Sequence, residues 1–404
     1  MSVNNMTFQD MSAVLTLITR QASGQMVETP TNTGEFISVA QVALNSGFDA
    51  VMNAISNVLS GTVFSTRPYE AQMKGLEFNA ERWGNVMRKL SIVETDWESD
   101  PAFQYPILFD ANQVPPDGYG KSVDRWKVKK PNVLQTLFTG QSAYYDLLSI
   151  TQRQLETAFT GPDEFGSFFG MLMTNFNNRL ESSNENIRRG LVCNAIGALA
   201  AENAPDRVVH LLTMYNSQIG EQYTKQDIYH PDHFPAFVKW ASAKIEFISD
   251  MFTQRGIQYQ TTITGKPILR HTPKKMQRVY LGSEFLHEAT SRVLADTYHD
   301  TYLKLADVES LPYWQSMDSK DSVSVYPAYT NTSGTVVHDT TTKVDVPDVL
   351  GLIFDKDMMG MGILDRQIIP TQINGAGRYY DIHLHANQRC YFDNTEKGVL
   401  LLLD

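Results

Sequence analysis

Between residues 163 and 201 the chain carries an apolar stripe of Phe165, Phe169, Leu172, Phe176, Leu180, Ile187, Leu191, Ala195 and Leu199, stepped by three, four or seven residues. That spacing places the stripe on one side of a single helix, and Pro162 and Asp163 are good helix openers. At 1.5 Å per residue such a helix reaches about 55–60 Å, against the three or four turns of an ordinary one. It has to serve as the backbone of the molecule. Gly170, Gly190 and Gly197 fall inside it and weaken its continuity.

The remaining pattern is mixed. Phe8, Met11, Val14, Leu15 and Ile18 have helical spacing, with Gly24 as a stop just beyond. Residues 28–35 read as a polar linker, and 39–59 as a second helical region interrupted near 45–47 and ended by Gly61. Residues 234–252 and 283–298 give two more amphipathic helices, while 207–215 is a short apolar run that fits a buried strand. Alternating Val, Tyr and Thr between 321 and 346, around Asn331 and Gly334, predict a hairpin. The end is strand-rich: 349–354, then 379–389 with Tyr380, Ile382, Leu384 and Ala386 on one face, then 399–403. Helices and strands interleave without a βαβ rhythm or internal repeat, so the class is α+β.

Residues 64–89 follow neither period. Pro68, Gly75 and Gly84 punctuate short apolar patches, and Arg67, Lys74, Arg82, Arg88 and Lys89 stand against Glu70, Glu77 and Glu81. An acidic strip (Glu94, Asp96, Glu98, Asp100) and, after a Pro/Gly-rich connection, a basic one (Lys121, Arg125, Lys127, Lys129, Lys130) come next. The segment reads as a projecting loop or hairpin that buries little in its own subunit, so Met73, Phe78 and Trp83 should find cover on a neighbour. The expected inter-subunit contacts are Arg67, Lys74, Phe78, Trp83, Arg88, Lys89, Glu94, Asp96, Glu98 and Lys127.

The 404 residues carry 34 Lys+Arg and 45 Asp+Glu, a formal charge of −11. Such a balance argues against a surface built to neutralise phosphates. With 20% charged residues and abundant neutral polar ones, the surface suits extensive contact with other subunits. Two cysteines, Cys193 and Cys390, make no disulfide framework or zinc pattern and fit a reducing cytoplasm, although one bridge between them is possible. No apolar run approaches the ~20 residues of a membrane span, and residues 1–10 lack the features of a signal peptide.

Chemical motifs are each one member short. His383 and His385 share a strand face, with Asp381 beside them and no identifiable third ligand. His230, Asp232 and His233 form a dense cluster that reads first as a polar turn with Asp232 near the N-cap of the next helix. His287-Glu288 lacks the second histidine of a zincin, Tyr144 stands where a GxSxG elbow needs glycine, and Gly360-Met-Gly362 lacks the third glycine of a dinucleotide fingerprint. Cys193 reads as a core residue of the long helix. No catalytic, cofactor or metal site is expected.

The ordered combination of segments carries more. KKPNVLQTLFTGQSAYYDLLSITQRQLETAF (129–159) and PDEFGSFFGMLMTNFNNRLESSNENIRRGLVCNAIGAL (162–199) resemble the middle of the major capsid proteins of small short-tailed bacteriophages with protein-primed genomes. FPAFVKWASAKIEFISDMF, TPKKMQRVYLGSEFLHEATSRVLADTY and LGLIFDKDMMGMGILDRQIIPTQINGAGRYYDIHLHANQR are similar in order and character to the rest of that family's core. The resemblance implies a Hong Kong 97-type capsid fold. Its parts would be an N-terminal arm (1–63), an extended loop region (64–130), a peripheral domain with the long helix as spine (131–205), an axial domain (206–347), and C-terminal strands (348–404) returning to the peripheral sheet. It also implies self-assembly into hexamers and pentamers of an icosahedral shell around double-stranded DNA, contacted non-specifically. Scaffolding, portal and head-fibre or decoration proteins would be partners, no membrane would be involved, and assembly would take place in the bacterial cytoplasm. The chain stops without an appended immunoglobulin-like domain, so outer decoration by this chain is not expected. Two other functions fit the residues: an encapsulin-like nanocompartment, distinguished by protein cargo instead of DNA, and a metal-dependent hydrolase using His383 and His385, distinguished by bound metal.

Overall fold

The computed structural model describes residues 7–61, 69, 71–79, 87–93, 126, 130, 132–139, 142–293, 308–338 and 340–404. In chain order the helices are α1 (Phe8–Ser23), α2 (Thr33–Asn45), α3 (Phe48–Gly61), α4 (Gln152–Ala158), α5 (Pro162–Glu202), α6 (Leu211–Ile219), α7 (Lys225–Ile228), α8 (Phe234–Thr253) and α9 (Ser283–Val293). The strands are β1 (Glu77–Asn79), β2 (Met87–Val93), β3 (Asn132–Phe138), β4 (Ser142–Thr151), β5 (Val208–His210), β6 (Gln277–Gly282), β7 (Val308–Leu311) and β8 (Val323–Val325). They continue with β9 (Ala328–Thr330), β10 (Val336–His338), β11 (Val344–Val346), β12 (Val349–Asp355), β13 (Met359–Pro370), β14 (Tyr379–Phe392) and β15 (Gly398–Leu402).

The spine is real and unbroken. α5 runs for 41 residues, opens with proline in its first turn and with Asp163 and Glu164 against the positive end of its dipole, and closes on a left-handed Asn203. Of its glycines, Gly197 marks a close approach, since a Cβ there would collide with Val325, while Gly170 and Gly190 have open space.

Two sheets lie along this beam. The N-terminal half of α5 joins α1–α3 and the inner side of β4 and β14 in one core that contains Leu15, Phe36, Ile55, Phe165, Tyr380 and Ile382. These strands belong to a four-stranded sheet of order β1-β13-β14-β4. The C-terminal half packs Val192, Ile196 and Leu199 with Leu352, Phe354, Leu400 and Trp314, on a five-stranded sheet of order β5-β15-β12-β6-β7. The opposite face of that sheet is covered by α6, α8 and α9. Covered on both faces, β12 as far as Phe354 and all of β15 are continuous apolar runs, and every residue of both strands is buried. β2 and β3 form a separate antiparallel ribbon.

Several expectations need correction. The apolar run from 207 spends only three residues as a strand, β5, and continues as α6. The helix expected over 283–298 is α9 as far as Val293, and the remainder lies outside the described residues. The strands after residue 348 do not return together to one sheet. β13 and β14 join β4, whereas β12 and β15 pair with each other and with β6 and β5. The break at 45–47, the stop at Gly24 and the β9–β10 hairpin around Asn331 stand as read.

Candidate assembly surfaces

The seven-residue gap in the spine's stripe, between Leu180 and Ile187, is where the chain binds its own loop. Asn184 and Glu185 within the gap, and Arg188 and Arg189 just beyond it, are buried in place of an apolar face. Asn178 accepts a 2.9 Å hydrogen bond from the Tyr69 N–H. The fully buried Arg188 pairs with Glu77 and, at 3.3 Å, with Glu181. Arg189 pairs with Glu185 at 2.7 Å, donates to the Tyr313 carbonyl and sits 3.8 Å over the Tyr313 ring. The nearby Glu185 carboxylate raises the pKa of the Tyr69 phenol. The loop answers with apolar anchors: Met73 is 0% and Leu76 3% exposed, both in the core beside the five-stranded sheet. Residues 71–79 therefore do not wait for a neighbour. They are strapped to the spine and end in β1, which extends the four-stranded sheet.

The ribbon behaves differently. Its strands pair Arg88 with Leu137, Leu90 with Gln135 and Ile92 with Val133, so these six share one face. That face is open, and its four apolar side chains are exposed. On the opposite face Ser91 and Val93 are buried. There too Lys89 pairs with Asp393 at 2.5 Å and with Glu396.

Of the expected contact residues, Lys74 and Arg88 are exposed. Lys74 lies 4.0 Å from Glu181. Phe78 stacks edge-on against Tyr391 with ring centroids 5.5 Å apart, and Lys89 is engaged as above, so both are used within the chain. Arg67, Trp83, Glu94, Asp96, Glu98 and Lys127 lie outside the described residues, as does the Phe169 side chain. The exposed Leu90, Ile92, Val133 and Leu137 were not singled out from sequence. The alternation in Arg88-Lys89-Leu90-Ser91-Ile92-Val93 was the available signal.

The chemical candidates resolve as surface or core. His383 and His385 flank the exposed Tyr145 on the open face of the four-stranded sheet, with ring centroids 6.4 and 6.2 Å from it. Asp381 accepts from the Ser149 hydroxyl. Among the described residues no group of three His, Cys, Asp or Glu side chains could hold a metal ion. His230 lies 3.4 Å from Asp232, and His233, the N-cap residue of α8, stacks on Tyr223 at 4.5 Å. Cys193 is buried against the Trp314 carbonyl, and burial pushes its thiol up to about 11. Both cysteines are free. No helix among the described residues is long and apolar enough to cross a membrane.

A long spine between two sheets, helices covering the second sheet and a separate two-stranded ribbon make a Hong Kong 97-type phage capsid fold. The fold is shared with a chain of the capsid structure of Staphylococcus phage Andhra (8% identity, TM-score 0.53, 85% of this chain and 87% of that one). It is shared equally with a chain from the structure of the head fiber and inner core protein gp22 of bacteriophage P68 (10% identity, TM-score 0.51, again 85% and 87%). No curated protein matches. The chain belongs to the Phi29-like phage major capsid protein family, whose profile matches residues 28–402. It is a structural protein of the virion that assembles with copies of itself, and not an enzyme.

Proposed function

We propose that the chain closes an icosahedral shell of pentamers and hexamers around the double-stranded DNA of a short-tailed phage, and that the open face of the β2–β3 ribbon is a principal contact between subunits. The observation that carries this reading is the exposure of Leu90 (56%), Ile92 (67%), Val133 (47%) and Leu137 (53%) on one face of a ribbon pinned by the other. Covering each half-exposed side chain contributes about 1 kcal/mol, modest singly and large over a closed shell. Lys74 and Arg88 remain as charged contacts that set register more than strength.

On this reading 1–63 is the N-terminal arm, 64–130 the extended loop region with its base strapped to the spine, and 131–205 with β13 and β14 the peripheral domain. Residues 206–347 with β12 and β15 form the axial domain. Assembly proceeds in the host bacterial cytoplasm with scaffolding and portal proteins, and head-fibre or decoration proteins bind the finished shell. The charge of −11 keeps contact with packaged DNA weak and non-specific. The test is the double variant Leu90→Asp with Ile92→Asp. It should melt as the parent does and fail to form shells in electron micrographs, and normal shells would overturn the proposal.

A further inference from the structure

Between β14 and β15 the chain passes from the four-stranded to the five-stranded sheet through Asp393, Asn394, Thr395, Glu396 and Lys397, and all five are buried. A buried polar run is costly unless its members are partnered, and these partners come from every neighbouring element. Lys397 donates to the Phe252 and Gln254 carbonyls at the end of α8, at 3.1 and 2.7 Å. Asn394 donates to the Glu202 carboxylate at the end of the spine and, at 2.7 Å, to the Thr330 carbonyl.

Asp393 and Glu396 serve the ribbon. Lys89 of β2 bonds both, and Arg270 meets Glu396 at 2.5 Å while its other terminal nitrogen lies 3.3 Å from the Ser91 hydroxyl of β2 and 3.1 Å from that of Thr395. Two cations and two carboxylates thus meet here, with the buried Asp355 and Arg207 close enough to act on Lys89 and Asp393, and burial holds the Glu396 carboxyl above its ordinary value in spite of both cations. Burial alone would raise the Asp393 carboxyl, but the Lys89 ammonium and the Thr395 hydrogen bonds more than offset it and hold it below its ordinary value. The second strand is held by another means: Phe138 of β3 lies 5.5 Å from the Tyr391 ring, which also carries Phe78 of β1. Both ribbon strands therefore grip the same short stretch, 391–396, at the point where the two sheets are joined.

The geometry points to residues 391–396 as the lock that fixes the angle of the β2–β3 ribbon on the body, with Lys89 as its positioning residue, so that ribbon angle and the joint between the sheets move together when copies of this chain meet at different curvatures. The link to curvature rests on the ribbon being a subunit contact; the lock itself does not. A ribbon held only by its backbone connections could swing freely. One held by an ion-pair knot on one strand and an aromatic contact on the other has few discrete positions.

The experiment uses the full-length chain as Lys89→Met, Lys89→Arg and the triple variant Lys89→Met, Asp393→Asn, Glu396→Gln, which leaves no unpaired buried acid if the single change misfolds and keeps Arg270 on the hydroxyls of Ser91 and Thr395. Hydrogen exchange of 87–93 and 132–138 is read on unassembled protein, and shell diameter on assembled protein. Lys89→Met and the triple variant should speed ribbon exchange about tenfold or more, leave β12 and β15 protected, and broaden the distribution of shell diameters, while Lys89→Arg preserves both readouts. Unchanged ribbon exchange in the triple variant would overturn the lock. A loosened ribbon with parental shell diameters would overturn its part in curvature. Loss of all shells with Leu90→Asp and Ile92→Asp bears on the contact and leaves the exchange result standing.

Discussion

The two sheets of this protein use the same chemistry to opposite ends. The five-stranded sheet is covered on both faces, by the spine on one and α6, α8 and α9 on the other, and its central strands expose nothing. The four-stranded sheet is covered on one face only, where Tyr380, Ile382, Leu384 and Ala386 are buried, and it leaves Tyr145, Leu147 and Ile369 at least two-fifths exposed on the other. The ribbon repeats the second arrangement on a smaller scale. A shell protein needs both: one region that fixes the subunit, and others whose apolar surface is satisfied only partly within it.

The largest effect should come from the closed sheet. Phe354→Ala removes a fully buried ring and should cost about 3–5 kcal/mol, whereas Ile369→Ala on the open face should stay within about 1 kcal/mol. Thermal melting of the two variants checks the contrast, and equal losses would break it.

Next comes the strap between the spine and residues 71–79. Arg188→Met leaves the partly exposed Glu77 without its partner and Glu181 with only Lys74, and should cost about 2 kcal/mol, part of which Glu77→Gln in the same chain restores. A double-mutant cycle in denaturant measures the restoration, and strict additivity would show that the strap carries no coupling.

Phe176 sharpens the comparison along the spine itself. It packs half-buried beside Leu180, Leu384 and Ala386, so Phe176→Ala should cost about 1–2 kcal/mol, less than a fully buried phenylalanine. A loss as large as that for Phe354→Ala would mean that the open sheet is as tightly packed as the closed one.

The smallest effect is electrostatic. Lys225 of α7 bonds Asp321 at 2.5 Å and also Asp348, and the hydrogen bond from Lys225 holds the Asp321 carboxyl below its ordinary value of 3.8. A carboxyl depressed in the folded state stabilises above its unfolded value and loses that contribution as pH falls through the folded one. The melting difference between the parent and Lys225→Met should therefore be small and steady between about pH 7 and 5, and shrink below about pH 3.8. A difference that grows on acidification would contradict this sign.

Elements with a local period were legible in the sequence: α1 with its Gly24 stop, α5, α8, and β14 with its buried face all follow from spacing within a few residues. β13 was not, because Gly360 and Gly362 dilute its alternation. A Cβ on Gly360 would collide with Tyr391 and Phe78, side chains far away in sequence. Residues 71–79 were misread for the same reason. Met73 and Leu76 look like isolated apolar residues in a charged loop until the spine and the five-stranded sheet enclose them, and Arg188 looks like a solvated charge until Glu77 arrives. Of the expected contact residues Arg88 and Lys74 are exposed, Phe78 and Lys89 have partners within the chain, and the apolar face of the ribbon went unnoticed.

By itself the sequence determined that this is an α+β chain built on one overlong helix, with a mixed-character segment between its helical start and that spine. Periodicity and motif spacing are short-range properties, and they survive being read one residue at a time. Only the tertiary structure decided which sheet each C-terminal strand joins, that the polar middle of the spine holds the base of the loop, and that Asp393 to Lys397 is a buried junction and not a surface turn. Each of these depends on a group meeting a partner beyond the reach of local periodicity, and whether burying it stabilises or costs is set by that partner.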